Sequence, residues 1–257
     1  MIYIVGNDKR MNYVYQYMLA KGKDALYSPQ SELVCTDRDI ILVTPPKAEA
    51  DKLEEIISSN KVRAVYTGVS DAGLSELCDK NGIQIIYYLK SPSVVYENAV
   101  LTANGIIKLT KEEHDIDNLS GKSCLVLGYG NCGKALAEAL LMEKAEVTVS
   151  VRREELEGEI KSKGYEYLPL NSLCEGIGCG DFSYIYNTIP APVIGKDVID
   201  CMKYMLNIYD LASKPGGTDF SYCIKKGINA KLILGIPGMY YPKEAGNIIA
   251  SYILETL

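Results

Sequence analysis

Residues 123–134 constrain the fold of this 257-residue chain more than any other stretch. They read Ser-Cys-Leu-Val-Leu-Gly-Tyr-Gly-Asn-Cys-Gly-Lys, an apolar run followed by three glycines with the spacing G-x-G-x-x-G. Beyond them, apolar residues recur at helical spacing. A buried strand, a glycine turn and a helix in this order are typical of a dinucleotide-binding fingerprint. The alternative is a tight strand–helix turn that binds nothing.

Each glycine of this turn has a predicted role. Gly128 makes the tight turn, Gly130 lets the backbone approach a pyrophosphate, and Gly133 lets helix and strand pack closely. The phosphates would lie at the helix N-terminus, where unpaired N–H groups and the helix dipole favour an anion. The predicted cofactor residues of the turn are Gly128, Tyr129, Gly130, Asn131, Cys132 and Gly133. Cys132 could instead be only a small loop residue.

The next predicted strand, 146–151, indicates which nicotinamide cofactor is preferred. It contains Ser150 and is followed by Arg152 and Arg153, whereas an NAD site usually has Asp or Glu here for the ribose 2′-hydroxyl. A hydroxyl and two guanidinium groups would bind a 2′-phosphate, which a carboxylate would repel. We therefore predict NADP as the cofactor, with these three residues at its phosphate. Alternatively, both arginines lie at a helix start and pair with the glutamates at 154–155.

Composition narrows the class of protein. Hydrophobic residues make up 47% of the chain, charged residues 23%, and the net charge is −6, which argues against a nucleic-acid partner. No apolar run has the ~20 residues of a membrane span, and the N-terminus begins with a strand pattern. We expect a cytoplasmic protein with no membrane partner.

Cysteine and histidine usage argues against a metal site. The eight cysteines are scattered without a C-x-x-C motif, and His114 is the only histidine of the chain. We therefore predict no metal, and reduced, mostly buried thiols. His114 falls in a charged segment, 111–121, that we interpret as an exposed link, so we expect this side chain to be solvated.

Alternating strand and helix patterns predict an α/β protein with two domains. The first, 1–93, is a small parallel α/β domain in which the polar stretch 27–39 stays ambiguous. The second, 94–241, begins with a long helix and has six strand signals, the number in a complete Rossmann domain. Residues 242–257 form a C-terminal helix that we expect to return to the first domain. The predicted strands are 2–5, 40–43, 64–66, 83–88, 123–127, 146–151, 165–168, 182–187, 206–210 and 230–234.

Two strand ends of the second domain carry further polar and turn residues. Asn187-Thr188-Ile189-Pro190 ends one strand, and Asp210 ends the next, followed by Leu-Ala-Ser-Lys-Pro-Gly-Gly-Thr-Asp. The carboxyl ends of strands in an open α/β sheet face the ligand crevice. Proline and glycine could also simply make turns here. The predicted cofactor residues at these ends are Asn187, Thr188, Ile189, Pro190, Asp210 and Ser213.

Four motifs resemble one family, the A subunits of dipicolinate synthase. They are V-L-G-Y-G-N-C-G, I-Y-N-T-I-P-A, Y-D-L-A-S-K-P-G-G-T-D-F and G-I-P-G-M-Y-Y-P-K-E-A-G-N-I-I-A. The first is generic and the third is far more specific. The resemblance covers residues 94–257 well, and the N-terminal domain only loosely, through Gly6-Asn7-Asp8-Lys9-Arg10.

The resemblance implies a fold and an activity. The fold would be a flavodoxin-like N-terminal domain plus a Rossmann domain. The activity would be oxidation of hydroxy-tetrahydrodipicolinate, from the lysine branch, to dipicolinate, the calcium chelator of spores. The family is described as working with a flavoprotein B subunit. We also expect a homo-oligomer.

The chain departs from the family in the connecting helix, where N-S-x-P-T-x-E-G is usual. Here Asn98, Thr102 and Gly105 are kept, while Leu101 replaces the proline and Asn104 the acidic residue. Two alternatives to the family reaction follow from this change. The chain could act on another small imine or keto acid, or it could bind NADP without catalysis.

A substrate with two carboxylates needs cations or helix N-termini. Arg10 is the best basic candidate, and Lys47 is a second one unless it is a solvated surface charge. Asp8 and Asp219 could each move a proton, although Asp219 could instead cap a helix. The predicted catalytic residues are Asp8, Arg10, Asn98 and Asp219.

Overall fold

The computed structural model describes residues 1–202 and 206–257. They form two compact units: a first unit of Met1–Leu101 with Pro237–Leu257, and a second unit of Thr102–Ile236. The strands are β1 (Ile2–Val5), β2 (Ala25–Ser28), β3 (Ile40–Val43), β4 (Val62–Thr67), β5 (Gln84–Tyr87), β6 (Ser123–Leu127), β7 (Glu146–Val151), β8 (Glu166–Pro169), β9 (Tyr184–Asn187), β10 (Asn207–Asp210) and β11 (Asn229–Leu232). The α-helices are α1 (Lys9–Ala20), α2 (Glu54–Ser59), α3 (Ala72–Lys80), α4 (Pro92–His114), α5 (Asn131–Met142), α6 (Glu157–Ser162), α7 (Leu173–Cys179), α8 (Lys196–Asp200), α9 (Phe220–Lys226), α10 (Ile236–Tyr240) and α11 (Pro242–Thr256).

The first unit contains a five-stranded parallel sheet with the order β2-β1-β3-β4-β5. β1 is buried along its whole length and β3 along most of it, because helices cover both faces of such a sheet. This is the flavodoxin-like order, in which β2 lies on one side of β1 and the later strands follow on the other side, starting with β3. The predicted parallel α/β fold of this part is confirmed.

β2 is a strand that the sequence pattern does not predict. It lies at the edge of the sheet, and its side chains are mostly half-buried or exposed. An edge strand of this kind lacks the continuous apolar run that marks β1 and β3. Residues 29–39, in the stretch left ambiguous, contain no helix or strand.

The C-terminal helix α11 belongs to the first unit and packs on α1, as predicted. Ala245, Gly246 and Ile249 are among its buried residues. A Cβ on Gly246 would lie 2.6 Å from the Arg10 carbonyl oxygen. The two helices therefore approach so closely that only glycine fits at this position.

The second unit contains a six-stranded parallel sheet with the order β11-β10-β9-β6-β7-β8. Numbered within the unit this is 6-5-4-1-2-3, the Rossmann order, so the predicted Rossmann domain is confirmed. The register aligns the ends of four strands, because Leu127 pairs with both Ser150 and Asn187, and Asn187 pairs with Asp210. The loops after these strands therefore begin at one edge of the sheet.

The structure corrects the prediction for His114. α4 continues to His114, so the residue lies on a helix rather than in an exposed link. Its Nε2 is 3.1 Å from the Tyr209 hydroxyl, and its ring centroid is 5.2 Å from that of Tyr184. The side chain is half-buried because the last turn of α4 packs on tyrosines of β9 and β10.

The prediction of reduced thiols is wrong for two cysteines. Cys174 and Cys201 form a disulfide, although they are 27 residues apart. Folding brings α7 and the end of α8 together, which linear spacing does not reveal. Of the free cysteines, three are buried, one is half-buried and two are exposed: Cys78, Cys124 and Cys223, then Cys132, then Cys35 and Cys179.

Candidate functional site

The glycine turn after β6 has the geometry expected of a dinucleotide-binding fingerprint. Gly128 has φ of +97°, and a Cβ there would lie 2.5 Å from Thr188 Oγ1. A Cβ on Gly133 would lie 2.1 Å from the Gly128 carbonyl oxygen, so strand and helix touch at this point. A Cβ on Gly130 would meet nothing within 4 Å. The turn is thus closed at Gly128 and Gly133, where a side chain would clash, and open at Gly130, the glycine predicted to face a pyrophosphate.

The N-terminus of α5 is suited to an anion. Gly130 is its N-cap, no side chain of the described residues caps it, and its first turn carries no acidic residue. The first N–H groups of a helix lack intrahelical acceptors, so they and the helix dipole favour a bound negative charge. Asn131 and Cys132 begin this helix, and burial raises the pKa of the Cys132 thiol to about 11. The thiol is therefore neutral at physiological pH.

Tyr129, in the middle of the turn, is a packing residue. It is buried, and its ring packs edge-on against Tyr165 with the centroids 6.4 Å apart. The ammonium of Lys134 lies 4.8 Å from the centroid of the Tyr129 ring. Tyr129 thus packs against neighbouring side chains, whereas a Cβ on Gly130 would meet nothing within 4 Å.

The loop after β9 is hydrogen-bonded to the glycine turn. The N–H and hydroxyl of Thr188 both donate to the Leu127 carbonyl, at 2.9 and 2.8 Å. Asn187 is buried, accepts from Ile189 N–H at 3.0 Å and donates to the Ile189 carbonyl at 3.1 Å. Pro190, next along the loop, is exposed. Thr188 and Ile189 therefore lie beside Gly128.

Asp210 is a fully buried carboxylate with four hydrogen-bond donors. Asn187 Nδ2 and Ala212 N–H donate to Oδ1 at 3.0 and 3.1 Å, and Gly217 N–H and the Thr218 hydroxyl donate to Oδ2 at 2.8 and 2.7 Å. A buried carboxyl group needs such partners. Asp210 thus fixes the shape of the loop after β10. The sequence did not single out Gly217 and Thr218 as its partners, although the G-G-T run after Asp210 was a visible signal.

The predicted 2′-phosphate residues differ in accessibility. Ser150 is fully buried, and its Oγ has no hydrogen-bond partner among the described residues. Arg152 and Arg153 are exposed just before the short 3-10 helix Glu154–Leu156. The arginines thus lie at a helix start, as one alternative expected. Within residues 1–202 and 206–257, however, neither forms an ion pair, whereas Lys134 and Lys161 nearby do.

Two predicted catalytic residues of the first unit form an ion pair. Asp8 caps α1 by accepting from Arg10 N–H, and its carboxylate also accepts from Arg10 Nε at 2.9 Å and Nη2 at 2.7 Å. Burial alone would raise the pKa of the Asp8 carboxyl, but the hydrogen bonds and charge of Arg10 outweigh burial and lower it. Burial likewise opposes the charge of Arg10, yet Asp8 keeps its pKa above the ordinary value. The pair is fully ionised at neutral pH.

A cavity of about 260 Å³ lies beside this pair, at the carboxyl ends of β1 and β3. Its lining includes Gly6, Asn7, Asp8, Pro45 and Lys47. In flavodoxin-like sheets this switch point is where ligands bind. Asp8 and Lys47 therefore share a concave site, and the Arg10 side chain, which is 13% exposed, lies behind Asp8.

The other two predicted catalytic residues lie elsewhere. Asp219 caps α9 by accepting from Tyr222 N–H at 2.9 Å, which is the alternative that the sequence left open. Asn98 is half-buried on α4. Predicted cofactor residues lie at the carboxyl ends of neighbouring strands in the second unit, and the contact that the structure shows within the catalytic set is the one between Asp8 and Arg10.

Neither a metal cluster nor a membrane span occurs in the part of the chain that the structure describes. No three His, Cys, Asp or Glu side chains there are grouped so that they could hold a metal ion. None of the described helices combines the length and apolarity needed to span a membrane.

This chain is similar in sequence to a named protein. That protein is the A subunit of dipicolinate synthase from Bacillus subtilis, 31% identical over 193 residues, which are 75% of this chain and 64% of that protein. The sequence match thus spans slightly less than two thirds of the relative. No family model matches the chain.

Solved structures match over nearly the full chain. The A subunit of dipicolinate synthase from Bacillus halodurans superposes with a TM-score of 0.85 and 25% identity, covering 99% of this chain and 96% of that one. Its counterpart from Bacillus subtilis superposes with a TM-score of 0.83 and 24% identity, covering 99% of this chain and 94% of that one. A transhydrogenase from Sinorhizobium meliloti shares the fold with a TM-score of 0.74 and 14% identity, covering 99% of this chain and 92% of that one. By sequence and by fold, the chain is a relative of the A subunits of dipicolinate synthase, which confirms the resemblance that its motifs predicted.

Proposed function

We propose that this chain is an NADP-preferring oxidoreductase that converts a hydroxy-tetrahydrodipicolinate-type precursor to dipicolinate. The observation that carries the proposal is the glycine turn, closed at Gly128 and Gly133 and open at Gly130. The name of the relative supports the substrate class, and the fold shared with a transhydrogenase supports nicotinamide chemistry.

The second unit would hold the cofactor through its own residues. The Gly130 backbone and the first turn of α5 would bind the pyrophosphate. Arg152 and Arg153, which are exposed and without ion pairs among the described residues, would bind the 2′-phosphate. Thr188 and Ile189 would lie along the nicotinamide ribose. When bound, the nicotinamide would accept a hydride from the substrate ring, while a proton goes to solvent and water leaves, which balances the conversion to the aromatic dicarboxylate.

The cofactor preference has a measurable size. We expect NADPH to bind at least about tenfold tighter than NADH, a difference of ~1.4 kcal/mol. The phosphate adds charge-assisted hydrogen bonds to two guanidinium groups, and NADH lacks that partner. Equal affinities for the two cofactors would remove the phosphate role of Arg152 and Arg153.

In the first unit, the cavity at the carboxyl ends of β1 and β3 is the candidate for binding a small dicarboxylate. Lys47 and Asp8 line this cavity, and Asp8 is paired with Arg10. Asp8 is ionised and could accept a proton from a substrate held there. Because the relative is itself named as one subunit of its enzyme, a partner protein is supported, which we take to be a flavoprotein.

One observation favours a second candidate, an NADP-binding subunit without catalysis. The connecting helix α4 has Leu101 and Asn104 where the family motif has proline and an acidic residue, and Asn104 is exposed. If the lost carboxylate moved a proton, the nucleotide site would survive without turnover. Reduction of another small imine or keto acid is the remaining alternative.

A turnover assay tests the proposal. Purified protein is incubated with hydroxy-tetrahydrodipicolinate and NADP, with and without a flavoprotein partner, and dipicolinate is followed by its ultraviolet absorbance. Product above the rate without enzyme supports the family reaction. Tight NADPH binding with no product under either condition would refute the proposed reaction and favour the non-catalytic role.

A further inference from the structure

The loop after β10, residues 211–218, is held in one shape by buried contacts. Asp210 binds its backbone at both ends. A Cβ on Gly217 would lie 2.4 Å from the Ala191 carbonyl oxygen, so this loop packs directly on the loop after β9. The N–H groups of Val193 and Ile194 donate to the Gly217 carbonyl at 3.0 and 2.9 Å. The loop is therefore part of the rigid edge of the sheet.

Only the tip of this loop is exposed. Ser213, Lys214 and Pro215 are exposed, whereas Ala212 and residues 216–218 are buried. Lys214 forms no ion pair with any other residue that the structure describes, in contrast with Lys226, which pairs with Asp200. A rigid loop thus presents one lysine ammonium to solvent at the ligand edge of the sheet.

The strand order indicates which part of a bound dinucleotide would lie nearest to this loop. β10 is separated from β6 by β9, while β7, which precedes Arg152 and Arg153, lies on the other side of β6. Neighbouring strands are about 4.8 Å apart, so the loop after β10 begins about 10 Å from the end of β6, where the glycine turn starts. A dinucleotide with its 2′-phosphate beside β7 therefore has its nicotinamide end towards β10. The reacting substrate must lie at that end.

We propose that Lys214 binds a carboxylate of the substrate and thereby selects a dicarboxylate over a monocarboxylate. This inference rests on the proposed function. An ammonium and a carboxylate form a charge-assisted hydrogen bond, and a lysine on a fixed loop loses less freedom on binding than one on a mobile segment. The cofactor phosphates are expected two strands away, at the N-terminus of α5, so the ammonium is not needed there.

The test compares ligands that differ by one carboxylate. Binding of pyridine-2,6-dicarboxylate and of pyridine-2-carboxylate to the full chain saturated with NADP is measured by calorimetry, for the wild type, Lys214→Met and Lys214→Arg. The control is Lys225→Met. Lys225 is exposed in the last turn of α9, just before the amino end of β11, and it has no ion pair in the described chain. NADPH affinity is measured for every variant.

We expect Lys214→Met to weaken the dicarboxylate by about tenfold, to remove most of its advantage over the monocarboxylate, and to leave NADPH affinity within about twofold. Lys214→Arg should retain most of the affinity, and Lys225→Met all of it. Unchanged dicarboxylate binding in Lys214→Met would overturn the inference while leaving the proposed function intact. Weakened NADPH binding in that variant would make Lys214 a cofactor residue and would also overturn it. A wild type that binds NADPH but neither pyridine carboxylate would refute the proposed substrate class and the inference together.

Discussion

Two alanine substitutions in the glycine turn separate its role in the fold from its role in binding. In Gly133→Ala, the new Cβ would lie 2.1 Å from the Gly128 carbonyl oxygen and 2.8 Å from its carbon, where ordinary contact begins at 3.4 Å. Both neighbours are backbone atoms of a turn whose φ is already +97°, so α5 must move away from β6. In Gly130→Ala, the Cβ meets nothing, and φ of −81° suits any residue.

The expected magnitudes follow from these contacts. Overpacking of this kind costs about 1–3 kcal/mol or more, and alanine returns up to ~1 kcal/mol through helix propensity at position 133. Because both neighbours are backbone atoms that cannot move aside easily, the upper end of the cost applies, and a net loss of ~2 kcal/mol would lower Tm by about 4–8 °C in a chain of this size. Gly130→Ala should leave the free energy of unfolding unchanged or raise it by up to ~1 kcal/mol, yet weaken NADPH by at least about tenfold, because its Cβ would take the space of the pyrophosphate.

Thermal unfolding and NADPH titration by fluorescence measure both quantities on the same samples. Gly158→Ala is a matched control, since its Cβ also meets nothing within 4 Å and it lies on α6 of the same unit. This control should change neither cofactor affinity nor, by more than ~1 kcal/mol, stability. Wild-type NADPH affinity in Gly130→Ala would refute the assignment of the open space to a pyrophosphate, and wild-type stability in Gly133→Ala would refute the packing argument.

Three further predictions concern charged residues. Replacing Arg152 and Arg153 together with alanine should weaken NADPH by at least about tenfold and leave NADH unchanged; equal losses in two titrations would contradict the phosphate role. Asp210→Asn should destabilise the protein by about 2–4 kcal/mol in denaturant unfolding, because an amide cannot accept from all four donors; a loss below ~0.5 kcal/mol would contradict this. Arg10 lowers the pKa of Asp8 below its unfolded value. The pair therefore stabilises the fold above about pH 4 and loses its effect as the pH falls through the lowered pKa. Asp8→Asn should be less stable than wild type at pH 7 in denaturant unfolding, and the difference should shrink towards pH 2.

The two alanine predictions and the arginine prediction depend on features that are local in the sequence. The glycine spacing, the apolar run before it and the helical pattern after it are set by neighbours within a dozen residues, and the same holds for most strands. Backbone sterics and hydrophobic periodicity act over such distances, so the Rossmann domain and the parallel α/β fold of the first domain could be predicted, while the flavodoxin-like order came from the family resemblance. β2 was missed because an edge strand with exposed side chains has little periodic signal.

The rest of the candidate site depends on residues that are distant in sequence. Asn187 reaches Asp210 across 23 residues, and the Thr188 hydroxyl reaches Leu127 across 61, so whether Asp210 binds a ligand or shapes a loop could not be decided from spacing. The disulfide between Cys174 and Cys201 and the half-burial of His114 also depend on contacts between residues that are distant in sequence.

The sequence by itself determined the two sheets, the glycine turn and the resemblance to the A subunits of dipicolinate synthase, because strand periodicity, glycine conformation and contiguous motifs depend on neighbouring residues. Only the tertiary structure decided which polar groups stay accessible. It closes Asp8 onto Arg10, satisfies Asp210 with four donors, and leaves Arg152, Arg153 and Lys214 exposed. The physical reason is that hydrogen bonding and burial of a side chain are set by groups that folding brings close from distant parts of the chain.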